Sequence, residues 1–204
     1  MKRITALAAA LLLALSLLTG CAQIDEAEEP LFPPEEDPAP EETAAALPSA
    51  FSLPYLAGQP LNPLTCPDGM QQTAASLLYE GLFHLDGQFT PQPLLCASYT
   101  YDPEALTYVL TLQQGVVFSD GSPLTAAEVK ATLPAARSSA RYAPRLADVK
   151  SISAGNGTVT LTLSRPNSAL PALLDIPILK SGTEKKDIPT GTGPYLYDES
   201  STPC

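Results

Sequence analysis

Histidine is almost absent from the sequence, since His84 is the only one in 204 residues. A single histidine excludes metal sites of the H-E-x-x-H type, which need two, and leaves one candidate for any catalytic triad. The G-x-S-x-G sequence of a nucleophile elbow is absent as well. Because His84 directly follows an apolar helical pattern and precedes Asp86-Gly87, we interpret it as a surface or packed side chain. The sequence therefore predicts a protein that is not an enzyme, with no metal site and no cofactor; a surface hydrolase would need active groups that these residues do not supply.

Basic residues are half as frequent as acidic ones, because 11 Lys and Arg face 22 Asp and Glu, for a formal net charge of -11. Such an excess of negative charge excludes a nucleic-acid partner.

Cysteine is also scarce. If Cys21 is modified as argued below, the three that remain have no C-x-x-C spacing, so at most one disulfide forms and we expect buried or free thiols. They are Cys66, Cys96 and Cys204.

Only one apolar run of the sequence is long, and it lies at residues 6–18, behind Lys2 and Arg3. It is shorter than the about 20 residues of a membrane-spanning helix, and its layout is typical of a secretory signal peptide. The sequence Leu18-Thr19-Gly20-Cys21 resembles a lipobox, where bacteria attach diacylglycerol to the thiol and cleave just before it. We therefore predict a signal peptide over residues 1–20 and a lipid on Cys21. The alternative is an ordinary cleaved signal peptide with a chance cysteine.

Residues 24–48 contain no basic residue but nine acidic residues and six prolines. Such a segment cannot bury enough apolar surface to fold, and its charges repel one another and extend it. We therefore predict that residues 21–48 form an acidic, proline-rich linker between the lipid and a domain that starts at residue 49. An acidic tail that recruits a cationic partner is the alternative.

From residue 49 onward, helical and strand-like patterns alternate, which predicts a mixed α/β domain. Thr125 and Glu128 form a T-x-x-E capping box that starts a helix, and Pro134 should kink or stop this helix near Leu133 before it resumes toward Ser138. The other predicted helices are 70–83 and 168–174, and the predicted strands are 50–56, 97–101, 107–112, 149–154, 158–164 and 176–180. A hairpin turn at Gly155-Asn156-Gly157 joins two of these strands.

Two glycine-containing loops are candidate sites. Asp120-Gly121 suits a tight turn, in which the aspartate bonds local amides and the glycine accepts a positive φ, so we interpret it as structural rather than ligand-binding. Gly191-Thr192-Gly193 lacks the third small residue of a dinucleotide fingerprint, since Leu196 stands there, and has no P-loop lysine. We interpret this loop as a backbone crossing that needs glycine dihedral angles.

Four passages together resemble family 5 of the bacterial extracellular solute-binding proteins, the peptide- and nickel-binding receptors of ATP-binding cassette importers. They are Leu61–Pro63, Leu78–Leu82, Val117–Val129 and Gly191–Tyr195. The resemblance covers nearly everything from Phe51 to Tyr197. It implies an α/β fold of the type II periplasmic-binding-protein class, in which residues 49–71 and 170–204 form the first lobe and residues 72–169 form an inserted β-rich subdomain.

The resemblance also implies a function: a lipid-anchored receptor on the outer side of the cell membrane, which binds a peptide or similar small solute and delivers it to permease subunits. In relatives the loop after Leu-Asn-Pro tends to face the ligand cleft, so Thr65 and Met70 are the predicted ligand-side residues. Relatives continue into a second lobe, which we expect to be missing here, so that part of an apolar face is uncovered. The alternatives are a nonfunctional fragment and a lipid-anchored interaction module that binds no solute.

Overall fold

The computed structural model describes residues 53–54, 56, 58–67 and 69–198. The predicted signal peptide, Cys21, the acidic linker and Cys204 lie outside the described residues and stay predictions. Most of the strand predicted at residues 50–56 lies outside them too, and residues 53, 54 and 56 are not in a strand. Within the described part of the chain, no helix is long and apolar enough to cross a bilayer.

The elements of the described chain are two longer helices, one short helix, one 3₁₀ helix and six strands. In chain order they are α1 Gly69–Leu78, β1 Phe83–Leu85, β2 Pro91–Pro93, β3 Cys96–Asp102, β4 Thr107–Leu112, α2 Ala126–Ala136, the 3₁₀ helix Ala143–Leu146, β5 Val149–Ala154, β6 Thr158–Leu163 and α3 Leu170–Leu173.

Four of the strands form an antiparallel sheet in the order β3-β4-β6-β5, and β1 pairs with β2 in a separate hairpin. The larger sheet has one apolar face because its strands alternate. In β6, Val159, Leu161 and Leu163 are at most 2% exposed, while the threonines between them belong to the opposite face. Tyr108 and Leu110 of β4 lie opposite Leu161 and Val159. The four predicted strands of this sheet and the turn between β5 and β6 are confirmed.

Helix α2 begins at the predicted capping box. The Ala127 amide donates to the Thr125 hydroxyl at 3.2 Å, and the Thr125 amide donates to the Glu128 carboxylate at 2.9 Å. The predicted stop near Leu133 is wrong, because the helix continues to Ala136. The alternative that was predicted with it, a kink at Pro134, stays a prediction. Pro134 falls in the last turn, where its missing N–H removes a single hydrogen bond shortly before the helix ends. The chain then makes turns instead of resuming the helix.

Helix α1 ends at Leu78, five residues before the predicted end at residue 83. The apolar pattern continues past the helix because Leu82 and Phe83 are buried in the core from irregular and strand backbone. A distant segment supplies the amides that end the helix, since Gly193 N donates to the Leu78 carbonyl at 2.9 Å. The periodicity therefore indicated burial correctly and helix length wrongly.

Helix α3 lies within the predicted segment 168–174, but the strand predicted at 176–180 is wrong. Only Pro177 forms a bridge, with Gly81, and a proline cannot donate to a strand ladder. Ile178 and Leu179 are nevertheless fully buried, in the cluster that also contains residues of the sheet. One core thus contains side chains from both the predicted first lobe and the predicted inserted subdomain. The boundaries between these two parts, placed near residues 72 and 170, stay predictions.

Large apolar side chains are also exposed, and among the described residues the three most exposed are Phe89 at 80%, Leu196 at 67% and Val117 at 52%. Single exposed apolar residues are normal on folded proteins. The predicted uncovered apolar face, to which these residues would belong, stays a prediction.

Candidate functional site

The Leu61-Asn62-Pro63 loop is held in place by the Asn62 side chain, which is 1% exposed. Its Nδ2 donates to the carbonyl oxygens of Glu184 and Lys186, both at 2.8 Å, and its Oδ1 accepts from the Leu64 amide at 2.9 Å. Its own carbonyl accepts from the amides of Thr65 and Cys66. Asn62 therefore joins residues far apart in the sequence and fixes the turn that carries Thr65.

Thr65 lines an open groove of about 400 Å³, formed between this turn and the turn that follows α2. Arg141 is one of the lining residues, and its Nη2 donates to the Cys66 carbonyl at 3.0 Å. Among the described residues that line the groove there is no carboxylate, whereas there is one guanidinium and there are three hydroxyl groups. This set of donors suits a carboxylate or another anionic group. The lining residues are Leu64, Thr65, Cys66, Pro67, Ser138, Ser139, Ala140 and Arg141.

The neighbouring arginines are engaged elsewhere. Arg137 donates to the Val149 carbonyl, and Arg145 forms an ion pair with Asp175. Arg145 and Arg141 also flank the Tyr142 ring, 5.3 and 5.9 Å from its centroid, and burial raises the pKa of the Tyr142 hydroxyl. Of these three arginines, Arg141 is the one that lines the groove.

The structure places the two predicted ligand-side residues apart. Thr65 is exposed within the groove, whereas Met70 is 44% exposed near the start of α1 and does not line it. Their ligand roles stay predictions. Sequence reasoning missed Arg141, although the repeated spacing of Arg137, Arg141 and Arg145 in an acidic chain was a signal. Nothing in the sequence pointed to Ser138 and Ser139, because only the fold brings them opposite Thr65.

The Gly191-Thr192-Gly193 loop crosses the end of α1 as a tightly packed backbone. Its Gly193 amide donates to the Leu78 carbonyl at the end of α1, and the Ser119 amide donates to the Gly191 carbonyl at 2.9 Å. A Cβ on Gly191 would lie 2.2 Å from the Leu78 carbonyl oxygen, yet neither glycine has a positive φ. The backbone crossing is confirmed, but its predicted reason is wrong: the glycines are required for close approach, not for special dihedral angles. Because the Gly193 amide already has a carbonyl partner, it is not free to bind phosphate.

The Asp120-Gly121 turn is structural, as predicted. Asp120 accepts from the Ser122 hydroxyl at 2.6 Å and from the Ser122 amide at 3.1 Å, and Gly121 has φ +80°. Asp120 also forms an ion pair with Lys180. The hydrogen bond from Lys180, followed by those from Ser122, holds the pKa of the Asp120 carboxyl well below its usual value.

This turn predicts a specific dependence of stability on pH. An unfolded aspartate has a pKa of about 3.9, so the stabilisation by Asp120 is complete above that pH and is lost as the pH falls toward the lower pKa of the folded state. We expect Asp120→Asn to lower the melting temperature at pH 7, and the difference from the natural chain to shrink below about pH 4. Glu104→Gln is the control for removing one negative charge from an exposed turn. A difference that is constant with pH would contradict the ion-pair explanation.

Nucleophilic and metal-binding side chains do not converge in the described part of the chain. No group of three His, Cys, Asp or Glu residues there could hold a metal ion, and His84 is exposed on β1. Cys66 and Cys96 are buried with free thiols, which confirms the prediction for these two. Burial raises the pKa of the Cys96 thiol to about 11, so it stays protonated at neutral pH.

Comparison with known proteins identifies one family. The family model for "Bacterial extracellular solute-binding proteins, family 5 Middle" matches residues 90–202, which is more than half of the chain. Glutathione-binding protein GsiB from Salmonella typhi is 38% identical over 151 residues, which cover 68% of this chain and 30% of that protein. The chain therefore spans about a third of the length of such relatives.

Solved structures give the same result for the fold. NikA from Brucella suis, in complex with Fe(III)-EDTA, has a TM-score of 0.62 at 28% identity and is matched over 74% of this chain and 33% of its own. NikZ from Campylobacter jejuni, in complex with Ni(L-His), has a TM-score of 0.57 at 25% identity over 70% of this chain and 31% of its own. This similarity confirms the predicted fold class, the α/β fold of type II periplasmic binding proteins.

Proposed function

Since the chain belongs to family 5 of the bacterial extracellular solute-binding proteins, we propose that it serves as part of the solute receptor of an ATP-binding cassette importer. The groove between Thr65 and Arg141 carries this proposal, because it is open, lies beside the Leu-Asn-Pro loop and presents a guanidinium with hydroxyl groups. Binding without chemistry agrees with a family of solute-binding proteins. Permease subunits of the importer are the proposed protein partners.

The proposed solute carries a carboxylate. A guanidinium recognises a carboxylate through charge-assisted hydrogen bonds with defined geometry. Glutathione, which occurs in a relative's name, and EDTA and histidine, which occur in the names of the complexes of solved relatives, all contain carboxylates. Short peptides and metal chelates of amino acids therefore form the solute class that we propose for this groove.

Replacing Arg141 tests this proposal. We expect the chain to bind glutathione, a short peptide or Ni(L-His), measured by calorimetry and by the rise in melting temperature with added solute. Arg141→Ala should weaken binding about tenfold to a hundredfold, because a hydrogen bond to a charged group contributes about 1.5–3 kcal/mol. Arg165→Ala is the matched control, since it removes an arginine that pairs with Asp148 and does not line the groove.

The two parts of the proposal fail separately. Binding that is equally strong in Arg141→Ala and the natural chain would place the solute outside the groove while leaving the receptor function intact. No binding of any of these solutes by the natural chain would contradict the receptor function itself.

We also propose that the receptor is held on the outer side of the cell membrane by lipid on Cys21. The lipobox-like sequence Leu18–Cys21 and the acidic linker that follows it support this proposal. Cys21→Ser should move the protein from the membrane fraction to the soluble fraction, as measured by fractionation and immunoblotting of cells that produce it. Continued retention on membranes after the substitution would contradict lipid anchoring.

A further inference from the structure

Phe89 stands out as an exposed aromatic residue with an unfavourable backbone. It lies in the loop between β1 and β2, is 80% exposed, and has a φ of 60°. This left-handed conformation is unfavourable for a bulky residue. Leu106 has a similar φ of 53°, but its side chain packs against the core and its carbonyl accepts from the Leu163 amide at 2.8 Å. Phe89 gains no comparable burial, so hydrogen bonds within the loop hold its backbone in this conformation, and strain maintained at an exposed side chain points to function.

Hydrogen bonds within the loop fix the backbone that carries Phe89. The Asp86 carboxylate accepts from the amides of Gln88 and Thr90, both at 2.9 Å, and from the Gln92 side chain at 3.0 Å. The Phe89 amide donates to the Asp86 carbonyl at 2.9 Å. An aromatic side chain on such an ordered loop loses little conformational freedom when it binds a partner.

The charge of the sequence segment that contains this loop indicates the kind of partner. The sequence from residue 53 to residue 129 contains no Lys and no Arg, and Asp86 stays ionised because the backbone hydrogen bonds from Thr90 and Gln88 lower its pKa. Anionic lipid surfaces bind through Lys and Arg, so a membrane is a poor partner for this loop. A complementary partner has an apolar pocket with a cationic rim.

The chain itself contains such a pocket. The Thr65–Arg141 groove combines the apolar side chains of Leu64, Pro67 and Ala140 with the guanidinium of Arg141. A guanidinium stacks favourably on an aromatic ring and attracts a neighbouring carboxylate. We propose that Phe89 of one copy binds in the Arg141 groove of a second copy, with Asp86 facing the cationic rim.

Such a contact is head-to-tail, because the two copies use different surfaces. Each pair leaves one Phe89 loop and one groove unoccupied, so further copies can add or a ring can close. The inference does not depend on the proposed function, since it needs only the loop and the groove. If solute also binds the groove, solute and self-association compete.

Sedimentation velocity of the full chain in a nonionic detergent tests the contact. We expect the average mass of the natural chain to rise with concentration, and both Phe89→Ser and Arg141→Glu to stay monomeric. An equimolar mixture of these two variants should form dimers and nothing larger, because one supplies the intact loop and the other the intact groove. Val117→Ser, which removes an apolar side chain that is 52% exposed elsewhere, should associate like the natural chain.

Two further variants distinguish a loss of association from a loss of folding. Phe89→Gly should melt at the same temperature as the natural chain or higher, because glycine accepts a φ of 60°, and should still lose association. If Arg141→Glu unfolds, Ala140→Trp blocks the groove in its place.

The proposed contact is overturned if the natural chain is monomeric at every concentration, if Phe89→Ser associates like the natural chain, or if the mixture of the two variants stays monomeric. Binding to anionic vesicles that requires Phe89 would overturn it in favour of a membrane partner.

Discussion

Gly191→Ala is expected to lower the free energy of unfolding by about 3 kcal/mol, the upper end of the range for overpacked sites. The added Cβ would lie 2.2 Å from the Leu78 carbonyl oxygen and 2.3 Å from Cδ1 of Tyr79. Neither atom moves easily. The carbonyl belongs to helix backbone, and the Tyr79 ring is 3% exposed with its hydroxyl donating to the Pro189 carbonyl at 3.0 Å. Urea unfolding, followed by circular dichroism, measures the loss.

Gly87→Ala is the matched control for this substitution. No atom lies within 4 Å of the Cβ that it would add, and Gly87 does not have a positive φ. We therefore expect a change within about 0.5 kcal/mol, as at other unconstrained surface positions. Equal losses at the two glycines would mean that close approach does not explain Gly191.

Thr132→Val has the second large expected effect. Thr132 is fully buried in α2, where its hydroxyl donates to the Leu179 carbonyl at 3.1 Å and accepts from the Leu179 amide at 3.0 Å. Valine has the same shape but leaves both backbone groups of Leu179 buried without this partner. Each unsatisfied group costs about 1–3 kcal/mol, so we expect a loss of about 2–6 kcal/mol in the free energy of unfolding.

Thr132→Ser separates hydrogen bonding from packing. Serine keeps the hydroxyl and removes one methyl group, which should cost about 1 kcal/mol in the same urea experiment. The expected order of stability is therefore threonine, then serine, then valine. If the valine variant is more stable than the serine variant, packing rather than the paired backbone groups determines the importance of this position.

The features that the sequence predicted well depend on neighbouring residues. The capping box of Thr125 and Glu128 and the Gly155–Gly157 turn are formed by residues a few positions apart, and the strands of the sheet show their own alternation. Two of the errors depend on distant partners. Helix α1 ends at Leu78, whose carbonyl accepts a hydrogen bond from the Gly193 amide. The segment 176–180 forms no strand ladder, and its Leu179 carbonyl accepts instead from the Thr132 hydroxyl. No local pattern contains that information.

In the candidate site, too, one residue could be found from the local sequence and another could not. Thr65 could be found because it follows the Leu-Asn-Pro passage, which belongs to a recognisable family pattern. Arg141 could not be assigned to the same groove, since its position depends on the turn after α2 and on the hydrogen bond to the Cys66 carbonyl. Met70 follows the same loop in sequence, but α1 carries it away from the groove.

The bonds between the Gly191–Tyr195 segment and α1 also set a time order for folding during synthesis. The Leu77 and Leu78 carbonyls receive their donors from Tyr195 and Gly193, which leave the ribosome after almost all of the described chain. Contacts over such sequence separations form slowly. Until then α1 has an open end and the core is incomplete.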